Sequence, residues 1–369
     1  IVGVLPEEHE TVVDGGLGED TLDLDLTPEQ FLNAATLREL SALNDFITDS
    51  ADSAVDDGAT FTVNGLALTV SNVEALTVNG DPFAVPDEST WLETVFVDPT
   101  GDGIGDGSFE NPFTSWDFVT FEAGKTYLQK ADTVFEGSLF VDVQATADHP
   151  IYIGSYGEGA PPTISGSVIF SGAANVEFHD FTVTDSDIAG VLITDGSQSI
   201  SVTDSTITRS AVGIEITDGS GGSSTGHKLL NNIIHSNDTS GISVVDVSAA
   251  AGEETVIADN TIYRNGMHGV GIIGNYYVIE NNEIHNNGIS GIIGTSGIHL
   301  FAQSNEVAAG DFNIIRYNTV SHQNDSDSND GNGIQADQYS NDNQIYGNIV
   351  FANAGPGLNL YDATNNLVY

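Results

Sequence analysis

The sequence has 369 residues, with 54 Asp and Glu against 7 Lys and Arg, which gives a formal net charge of −47 at pH 7. This charge repels nucleic acid and anionic membrane surfaces, and so argues against both as partners. The absence of cysteine excludes disulfides, thiolate metal sites and a cysteine nucleophile. No stretch approaches the roughly 18 to 20 apolar residues of a membrane span, while a hydrophobic content of 39% suffices for a folded core.

The first motif runs from Gly15 to Leu22 and reads Gly-Gly-Leu-Gly-Glu-Asp-Thr-Leu. It resembles one copy of the glycine- and aspartate-rich nonapeptide of RTX proteins, which are secreted and depend on calcium. The resemblance implies that Asp20 is a calcium ligand held between parallel turns. An ordinary glycine-rich turn is the alternative interpretation.

A helix is predicted to begin at Pro28. Thr27 supplies an N-cap, proline fits the first helical position, and Gln30 can close a capping box. The apolar residues that follow keep helical spacing, so we expect the helix to continue to about Thr48.

A β-hairpin is predicted after this helix. Phe61 to Val63 and Leu66 to Leu68 flank Asn64-Gly65, which favours a two-residue turn. A further strand is expected from Val73 to Val78. We therefore predict a small α+β cap domain with its linker over residues 1–90, which covers the first edge of a second domain over residues 91–369.

Residues 180–368 repeat one short phrase, in which an asparagine or a substitute precedes an apolar strand. An asparagine tolerates a left-handed turn and can bond the coils above and below it. The copies are Asp180-Phe-Thr-Val, Asp204-Ser-Thr-Ile, Asn231-Asn-Ile-Ile, Asp259-Asn-Thr-Ile, Asn281-Asn-Glu-Ile, Tyr317-Asn-Thr-Val, Gly347-Asn-Ile-Val and Asn365-Asn-Leu-Val.

A second phrase, a glycine that leads an alternating strand, lies between successive copies of the first. Two strands per period would make one coil of a solenoid, whose coils must stack because none can bury its apolar side alone. The glycine-led strands are Gly190-Val-Leu-Ile, Gly213-Ile-Glu-Ile, Gly241-Ile-Ser-Val, Gly269-Val-Gly-Ile, Gly297-Ile-His-Leu, Gly333-Ile-Gln-Ala and Gly357-Leu-Asn-Leu.

This doubled pattern resembles the right-handed parallel β-helix family of secreted polysaccharide lyases, epimerases and hydrolases and of phage tailspikes. The resemblance covers roughly Glu93 to Tyr369 and includes the strand and glycine-aspartate loop from Thr94 to Gly103. It implies an all-β fold of about eight to ten coils, an extracellular location and a polysaccharide substrate, while one fold hosts many chemistries.

Alternation along the glycine-led strands predicts two outward columns of side chains on one face of the solenoid. Both columns become polar and titratable toward the C-terminus, where we expect a sugar chain to bind. The first column reads Leu192, Glu215, Ser243, Gly271, His299, Gln335 and Asn359, and the second reads Thr194, Thr217, Val245, Ile273, Phe301, Asp337 and Tyr361.

Two long insertions point to the same place. The interval between ladder positions rises from 22 residues (Asn260 to Asn282) to 36 (Asn282 to Asn318) and then 30 (Asn318 to Asn348). The extra residues lie at 288–297 and 321–332. Long insertions on a regular scaffold usually build clefts.

A uronan lyase or C5-epimerase is the favoured function. Removal of the proton next to a sugar carboxylate needs a base, a proton donor and a group that neutralises the carboxylate. We assign His299 as base, oriented by Asp337, with Tyr361 or Tyr339 as donor, and Arg264 or bound calcium as neutraliser. Gln335, Asn359, Phe301 and Glu215 are expected to contact the substrate.

Two other functions stay open. Asp337 with Asp362 or Asp330 could form the paired carboxylates of a glycoside hydrolase. A non-catalytic, calcium-dependent adhesin or filament-forming solenoid would instead have uninterrupted coils and ends that associate. The Asp-Pro-His-Glu signature of mannuronan C5-epimerases is absent from the sequence.

A second calcium site is predicted in the later insertion. The stretch Asp325-Ser-Asp-Ser-Asn-Asp330-Gly places oxygen ligands at alternating positions, as calcium loops do. Asp325, Asp327 and Asp330 are the expected ligands, and a solvated acidic loop is the alternative.

Overall fold

The structure is a computed structural model, which describes residues 11–14, 20–24, 34–50, 58–63, 66–71, 73, 75–78, 81–82, 93–157, 159–218, 224–291, 294–302, 304, 309–324 and 330–369. The chain divides into two compact units, Ile1–Thr94 and Val95–Tyr369.

The first unit combines one described helix with two small sheets. Leu40, Leu43 and Ile47 of the helix are buried against Leu68 and Val70. The sheets have the strand orders β1-β4-β3 and β2-β5-β6. The elements are α1 (Ala34–Ser50), β1 (Thr11–Asp14), β2 (Thr21–Leu24), β3 (Ala59–Val63), β4 (Leu66–Ser71), β5 (Ala75–Val78) and β6 (Asp81–Pro82).

The predicted helix and hairpin are both found in this unit. Strands β3 and β4 pair antiparallel with Val63 opposite Leu66. The predicted helix start at Pro28 lies outside the described residues, as do Gly15 to Glu19 of the RTX-like motif. No helix in the described ranges is long and apolar enough to span a membrane.

The second unit is built from three parallel sheets whose strands alternate along the chain. Sheet A has the strand order β35-β32-β29-β26-β23-β20-β17-β14-β11-β8-β7. Its strands are β7 (Glu93–Val97), β8 (Lys125–Lys130), β11 (Ile151–Tyr156), β14 (Ala174–His179), β17 (Gln198–Thr203), β20 (Lys228–Leu230), β23 (Thr255–Ala258), β26 (Tyr277–Glu280), β29 (Ile314–Arg316), β32 (Gln344–Tyr346) and β35 (Leu367–Val368).

Sheets B and C each contain nine of the described strands. Sheet B consists of β9 (Val134–Glu136), β12 (Thr163–Ser165), β15 (Thr182–Thr184), β18 (Thr206–Thr208), β21 (Ile233–His235), β24 (Thr261–Tyr263), β27 (Glu283–His285), β30 (Thr319–Ser321) and β33 (Ile349–Phe351). Sheet C consists of β10 (Leu139–Val141), β13 (Val168–Ser171), β16 (Ala189–Thr194), β19 (Val212–Thr217), β22 (Ile242–Val245), β25 (Val270–Ile272), β28 (Ser296–Leu300), β31 (Asn332–Ala336) and β34 (Leu358–Leu360).

Each coil therefore contains three strands, whereas the sequence predicted two. The asparagine-led phrase forms sheet B and the glycine-led phrase forms sheet C, whereas the strands of sheet A share a leading asparagine only in the last three coils, at Asn313, Asn343 and Asn366. The last copy, Asn365-Asn-Leu-Val, leads β35 of sheet A instead of a strand of sheet B. Asn366 accordingly bonds Asn343 and continues the ladder of Asn313.

Buried asparagines hold successive coils together between sheets A and B. Asn260 Nδ2 donates to Asn282 Oδ1 at 2.9 Å, and the Asn260 backbone N–H donates to the same oxygen. Asn282 repeats both bonds to Asn318, 36 residues further along the chain. Because these groups are buried, each bond also prevents an unsatisfied polar atom in the core.

The residue before each ladder position lies in the left-handed region, as the asparagine-led phrase predicts. Its φ is 56° at Asn231, 58° at Asp259 and 57° at Asn281, and a glycine fills the equivalent place at Gly347. Asn, Asp and Gly tolerate this conformation, which turns the chain sharply from sheet A into sheet B.

Candidate functional site

Sheet C has the register that the sequence predicts for the first outward column. Glu215 pairs with Ser243, Ser243 with Gly271, Gly271 with His299, His299 with Gln335, and Gln335 with Asn359. Each step, called a rung below, is about 4.8 Å. His299, Gln335 and Asn359 therefore occupy three successive rungs.

The second predicted column continues beyond the ends of the strands. The backbone N–H of Phe301 donates to Ile272, that of Asp337 to Leu300, and that of Tyr361 to Ala336, at 2.9 to 3.0 Å. These bonds keep Phe301, Asp337 and Tyr361 stacked on the same three coils as the polar end of the first column. The structure thus brings these predicted site residues to one face.

His268 completes the cluster, although the sequence analysis did not identify it. Gly271 leaves a gap in the first column, and a Cβ atom built there would lie 3.2 Å from His268 Cδ2. The His268 ring therefore fills the space of the missing side chain. Gly271 was the feature of the sequence that could have indicated His268. A glycine in an outward column leaves room for a side chain from the turn that precedes the strand.

The two histidines and Asp337 form a hydrogen-bonded chain whose direction is fixed. The Ser296 backbone N–H donates to His268 Nδ1 at 3.2 Å, so the proton of neutral His268 lies on Nε2. His268 Nε2 donates to His299 Nδ1 at 3.1 Å, and His299 Nε2 donates to Asp337 Oδ2 at 3.2 Å. Neutral His299 therefore presents an N–H to the carboxylate and no free nitrogen.

The surroundings of the chain favour a neutral His268 and an ionised Asp337. Burial, followed by the nearby His299, lowers the pKa of His268 well below its usual value. The hydrogen bond from His299 lowers the pKa of Asp337, against the opposing effect of partial burial. Asp337 also accepts the Gln338 backbone N–H at Oδ1. At neutral pH the cluster combines a neutral His268 with an ionised Asp337.

Gln335 is oriented by two donors. Ser296 Oγ and Asn332 Nδ2 both donate to Gln335 Oε1, at 2.9 and 2.6 Å. Its oxygen is therefore occupied. Although the sequence predicts an outward side chain, Gln335 is only 7% exposed, so its amide NH₂ is the group left to donate to a substrate oxygen.

Phe301, Asn359 and Tyr361 surround this cluster. The ring centroid of Phe301 lies 6.0 Å from that of His299. Asn359 is half-buried on the rung after Gln335, and Tyr361 is 60% exposed. They offer an apolar face, an amide and a phenol to a ligand on sheet C.

Glu215 and Arg264 do not join the cluster. Glu215 lies three rungs, about 14 Å, from His299 in the same column. Burial raises the pKa of Glu215. Arg264 occupies the left-handed corner after β24, with a φ of 54°, and its positive charge acts on His235 of sheet B. The sequence alone could not show whether Arg264 lies at a corner between strands or in the catalytic site.

The predicted metal ligands are only partly described. Asp330 Oδ2 accepts the backbone N–H of Gly294 at 2.9 Å, and the Asp20 carbonyl accepts the Ala75 N–H. Asp325 and Asp327 lie outside the described residues. Within the described ranges, no group of three or more His, Asp or Glu side chains could hold a metal ion.

The described ends of the two long insertions contact each other. Besides the bond between Gly294 and Asp330, Gly331 N–H donates to the Thr295 carbonyl, and Thr295 Oγ1 donates to Asn324. These contacts lead directly into β28 and β31, which carry His299 and Gln335. The insertions therefore border the cluster from the side of sheet B.

Comparison with solved structures finds folds of the same kind. Pectate lyase Pel9A is 15% identical, with a TM-score of 0.51, and the match covers 76% of this chain and 78% of that one. An alginate lyase from Paenibacillus sp. str. FPU-7 is 17% identical, with a TM-score of 0.48 and coverage of 74% and 99%. GH136 lacto-N-biosidase from Eubacterium ramulus is 14% identical, with a TM-score of 0.45 and coverage of 75% and 67%. At these identities the likeness concerns the fold alone.

A search of curated proteins finds no significant match. The sequence pattern described as "Right handed beta helix region" matches residues 122–251 and 223–369. These matches span most of the second unit and coincide with its three stacked parallel sheets. The chain therefore belongs to the right-handed β-helix family.

Proposed function

We propose that the protein is a secreted carbohydrate-active enzyme that acts on an extracellular polysaccharide of uronic acids, as a lyase or a C5-epimerase. The observation that carries this proposal is the hydrogen-bonded chain from His268 through His299 to Asp337. It places one ionised, partly exposed carboxylate among groups that can donate to an anionic sugar. Proton removal beside a carboxylate needs this combination.

The geometry favours Asp337 over His299 as the proton acceptor. Both nitrogens of His299 are engaged, whereas Asp337 is ionised and its side chain is 21% exposed. His299 then becomes the residue that positions Asp337, which reverses the roles expected from the sequence. The lowered pKa keeps Asp337 ionised in mild acid, at the cost of basicity.

The other roles follow from the positions of the neighbours. Asp337 takes the proton from C5, and the Gln335 NH₂ stabilises the negative charge that develops on the sugar carboxylate. In elimination the electron pair forms the C4–C5 double bond while the C4–O bond breaks, and the Tyr361 hydroxyl protonates the leaving oxygen. In epimerisation Tyr361 returns a proton to the opposite face of C5.

A paired-carboxylate hydrolase is less well supported. Such an enzyme needs one carboxyl group with a raised pKa, while the pKa of Asp337 is lowered by His299. Glu215, whose pKa is raised, lies four rungs, about 19 Å along the axis, from Asp337, beyond the separation of about 5 to 10 Å between two catalytic carboxyl groups.

Calcium remains part of the proposal through Asp20, Asp325, Asp327 and Asp330. These residue types suit calcium because they supply oxygen ligands. The described residues alone do not assemble such a site. No step of the proposed reaction therefore uses the ion, and its expected effect is on stability.

The adhesin or filament-forming alternative stays a second proposal, in which copies of the protein associate end to end. Sedimentation at several protein concentrations tests this, and a monomer at every concentration would remove self-assembly as the function.

The enzymatic proposal is tested by a screen with three readouts. Alginate, polygalacturonate and neutral polysaccharides are incubated with the protein. Ultraviolet absorbance then reports unsaturated ends, NMR reports C5 inversion with deuterium uptake, and a colorimetric assay reports reducing ends. Unsaturated ends or C5 deuteration would support the proposal, while reducing ends alone would favour the hydrolase. No change in any uronate substrate would contradict it.

The assignment of the base is tested with Asp337→Asn. We expect a loss of about 100-fold or more in kcat, because Asn cannot accept the proton. Asp187→Asn is the matched control, since Asp187 is an exposed corner residue of an earlier coil. A folded Asp337→Asn variant with at least half the wild-type rate would remove Asp337 from the mechanism.

A further inference from the structure

A concavity of about 470 Å³ lies on the outer face of sheet A, remote from the His299 cluster on sheet C. Its volume falls in the range of about 300 to 1,000 Å³ that is usual for small-molecule sites. None of the groups in the His268–Asp337 chain lines it. The concavity therefore needs an explanation separate from the proposed reaction.

Small outward side chains create its base. Val256 and Val278 face outward on neighbouring rungs, where they pair in register. The surface at this point is apolar and recessed between longer neighbours.

A tight turn forms one side of the concavity. The Glu253 N–H donates to the Ala250 carbonyl, and the Gly252 N–H donates to Glu254 Oε1, both at 2.9 Å. Gly252 has a φ of +91°, which a residue with a side chain would adopt only under strain. Glu253 and Glu254 of this turn line the concavity beside its apolar base.

A fixed guanidinium forms the opposite side. Arg316 donates through Nε to Glu280 and through Nη1 to Tyr346 Oη. Its Nη2 makes no hydrogen bond to the described residues and is free to donate. Gln198, Ser199 and Thr225 supply further amide and hydroxyl groups at the third side.

We propose that this concavity on sheet A is a binding site for an uncharged oligosaccharide. A pyranose ring has an apolar C–H face, which matches the two valines, and a rim of hydroxyls, which matches the alternating donors and acceptors around them. Three carboxylates against one paired guanidinium disfavour uronic acids. The site thus differs from the sheet C site in the class of sugar that it accepts.

The proposal is independent of the reaction on sheet C. A neutral branch or a neutral block of an extracellular polysaccharide would bind here, while the uronate part is processed on another face. Such a site would hold the protein on its substrate and would leave turnover of short uronate chains unchanged.

The test uses cellohexaose and mannohexaose as neutral probes, hexagalacturonate as the acidic probe and the fully deacetylated chitosan hexamer as the cationic probe. Calorimetry and ligand-observed NMR measure binding to the full chain. We expect at least one neutral probe to bind and hexagalacturonate not to bind at sheet A. Binding of the cationic probe alone would overturn the neutral class in favour of an amino sugar.

Val278→Arg tests the position of the site, because the new side chain fills the concavity. Ile314→Arg is the matched control, since Ile314 faces outward on the next rung of the same column but does not line the concavity. We expect Val278→Arg to weaken binding of the neutral probe by at least about 10-fold and Ile314→Arg to change it by less than about 2-fold.

A second substitution guards against a local folding defect. Val256→Arg enters the same space from the neighbouring strand, and unchanged melting and circular dichroism identify a folded variant. Binding that survives in both folded valine variants would overturn the proposal. Turnover of a uronate substrate is measured in Val278→Arg as well. If turnover persists while binding of the neutral probe is lost, the site on sheet A and the proposed reaction on sheet C are independent of each other.

Discussion

His268 Nε2 lies 3.1 Å from His299 Nδ1, and the backbone of Ser296 decides which of the two nitrogens carries the proton. A main-chain N–H that belongs to the strand of His299 thus fixes the tautomer of that histidine through a second ring. The consequence is that His299 Nε2 carries the hydrogen that it donates to Asp337 Oδ2.

Replacement of His268 by Phe should free His299 to change tautomer. Without the donated proton, His299 can carry its hydrogen on Nδ1, and its bond to Asp337 is lost. The pKa of Asp337 then rises, so the acid limb of the pH profile of kcat/KM shifts to higher pH. We expect kcat to fall by about 10-fold, less than the loss of about 100-fold or more for a proton-transfer group itself.

The readout that separates positioning from folding is the nitrogen chemical shift of the His299 ring. In the wild type it should report a hydrogen on Nε2, and in His268→Phe a mixture of both tautomers. An unchanged tautomer together with an unchanged pH profile would contradict the role of His268.

Gly271→Val provides a second route to the same effect. Gly271 does not have a positive φ, so valine strains no backbone, but a Cβ atom there lies 3.2 Å from His268 Cδ2 and the branched methyl groups reach further. The His268 ring must therefore shift, which disturbs its hydrogen bond to His299. We expect the pH profile of Gly271→Val to resemble that of His268→Phe, whereas Ser243→Val, one rung away in the same column, should leave it unchanged.

Asn260→Ala should destabilise the solenoid. Asn260 accepts bonds from the backbone and side chain of Asn232 and donates to Leu229, all in the buried core. The substitution removes these three bonds and the bond from Asn260 Nδ2 to Asn282 Oδ1, each worth about 1 kcal/mol, so we expect a loss of about 3 to 5 kcal/mol in the free energy of unfolding.

Denaturant unfolding measures this effect, and Thr261→Ala serves as the control. Thr261 is the next residue, half-buried on the outward side of sheet B, and it is not part of the ladder. A shift of the Asn260→Ala midpoint no larger than that of Thr261→Ala would show that the ladder does not contribute as described.

His227 should make stability depend on pH. Its Nδ1 accepts the Ile200 N–H, its Nε2 lacks a partner among the described residues, and burial lowers its pKa to about 4. In the unfolded chain the pKa of a histidine is about 6.5. As the pH falls from about 6.5 to about 4, the unfolded state gains a proton that the folded state does not, so stability falls by about 3 kcal/mol.

His227→Asn removes this titration while its Oδ1 can still accept from Ile200. The free energy of unfolding of both proteins is measured near pH 7 and near pH 5 at constant ionic strength. The difference between the proteins cancels the response of the many carboxylates. We expect the wild type to lose more stability than the variant, and equal losses would contradict the assignment.

Calcium should raise the melting temperature of the protein. An ion that binds only the folded state stabilises it by RT ln(1 + [L]/Kd), or about 2.7 kcal/mol at a 100-fold excess over Kd. Melting is compared in excess chelator and in millimolar calcium, with magnesium at equal ionic strength as the control. Equal melting in calcium and chelator would contradict both calcium sites.

The sequence predicts the outward columns well because alternation and the leading glycine define the register of sheet C without ambiguity. His299, Gln335, Asp337 and Tyr361 are on neighbouring coils as expected. His268 escaped prediction because it reaches the column from a corner, where no periodicity applies. The direction of the hydrogen bonds escaped it as well, because this depends on a backbone N–H at Ser296.

Sheet A shows a second limit of sequence patterns. Its strands before the last three begin with chemically different residues, such as Lys228, Thr255 and Tyr277, so no repeated phrase marks them. The concavity on this sheet arises from small side chains at Val256 and Val278 beside a turn. Small side chains form no recognisable sequence motif. The concavity is therefore visible only in the three-dimensional structure.

In the asparagine ladder, the spacing between coils does not depend on the number of residues in a coil. The Nδ2–Oδ1 bond measures 2.9 Å where the partners are 22 residues apart, at Asn260 and Asn282, and 2.9 Å where they are 36 apart, at Asn282 and Asn318. A second copy of the 22-residue coil could therefore be spliced in as a spacer. Each such duplication would lengthen the solenoid by about 4.8 Å along its axis, which makes its length an adjustable property of the scaffold.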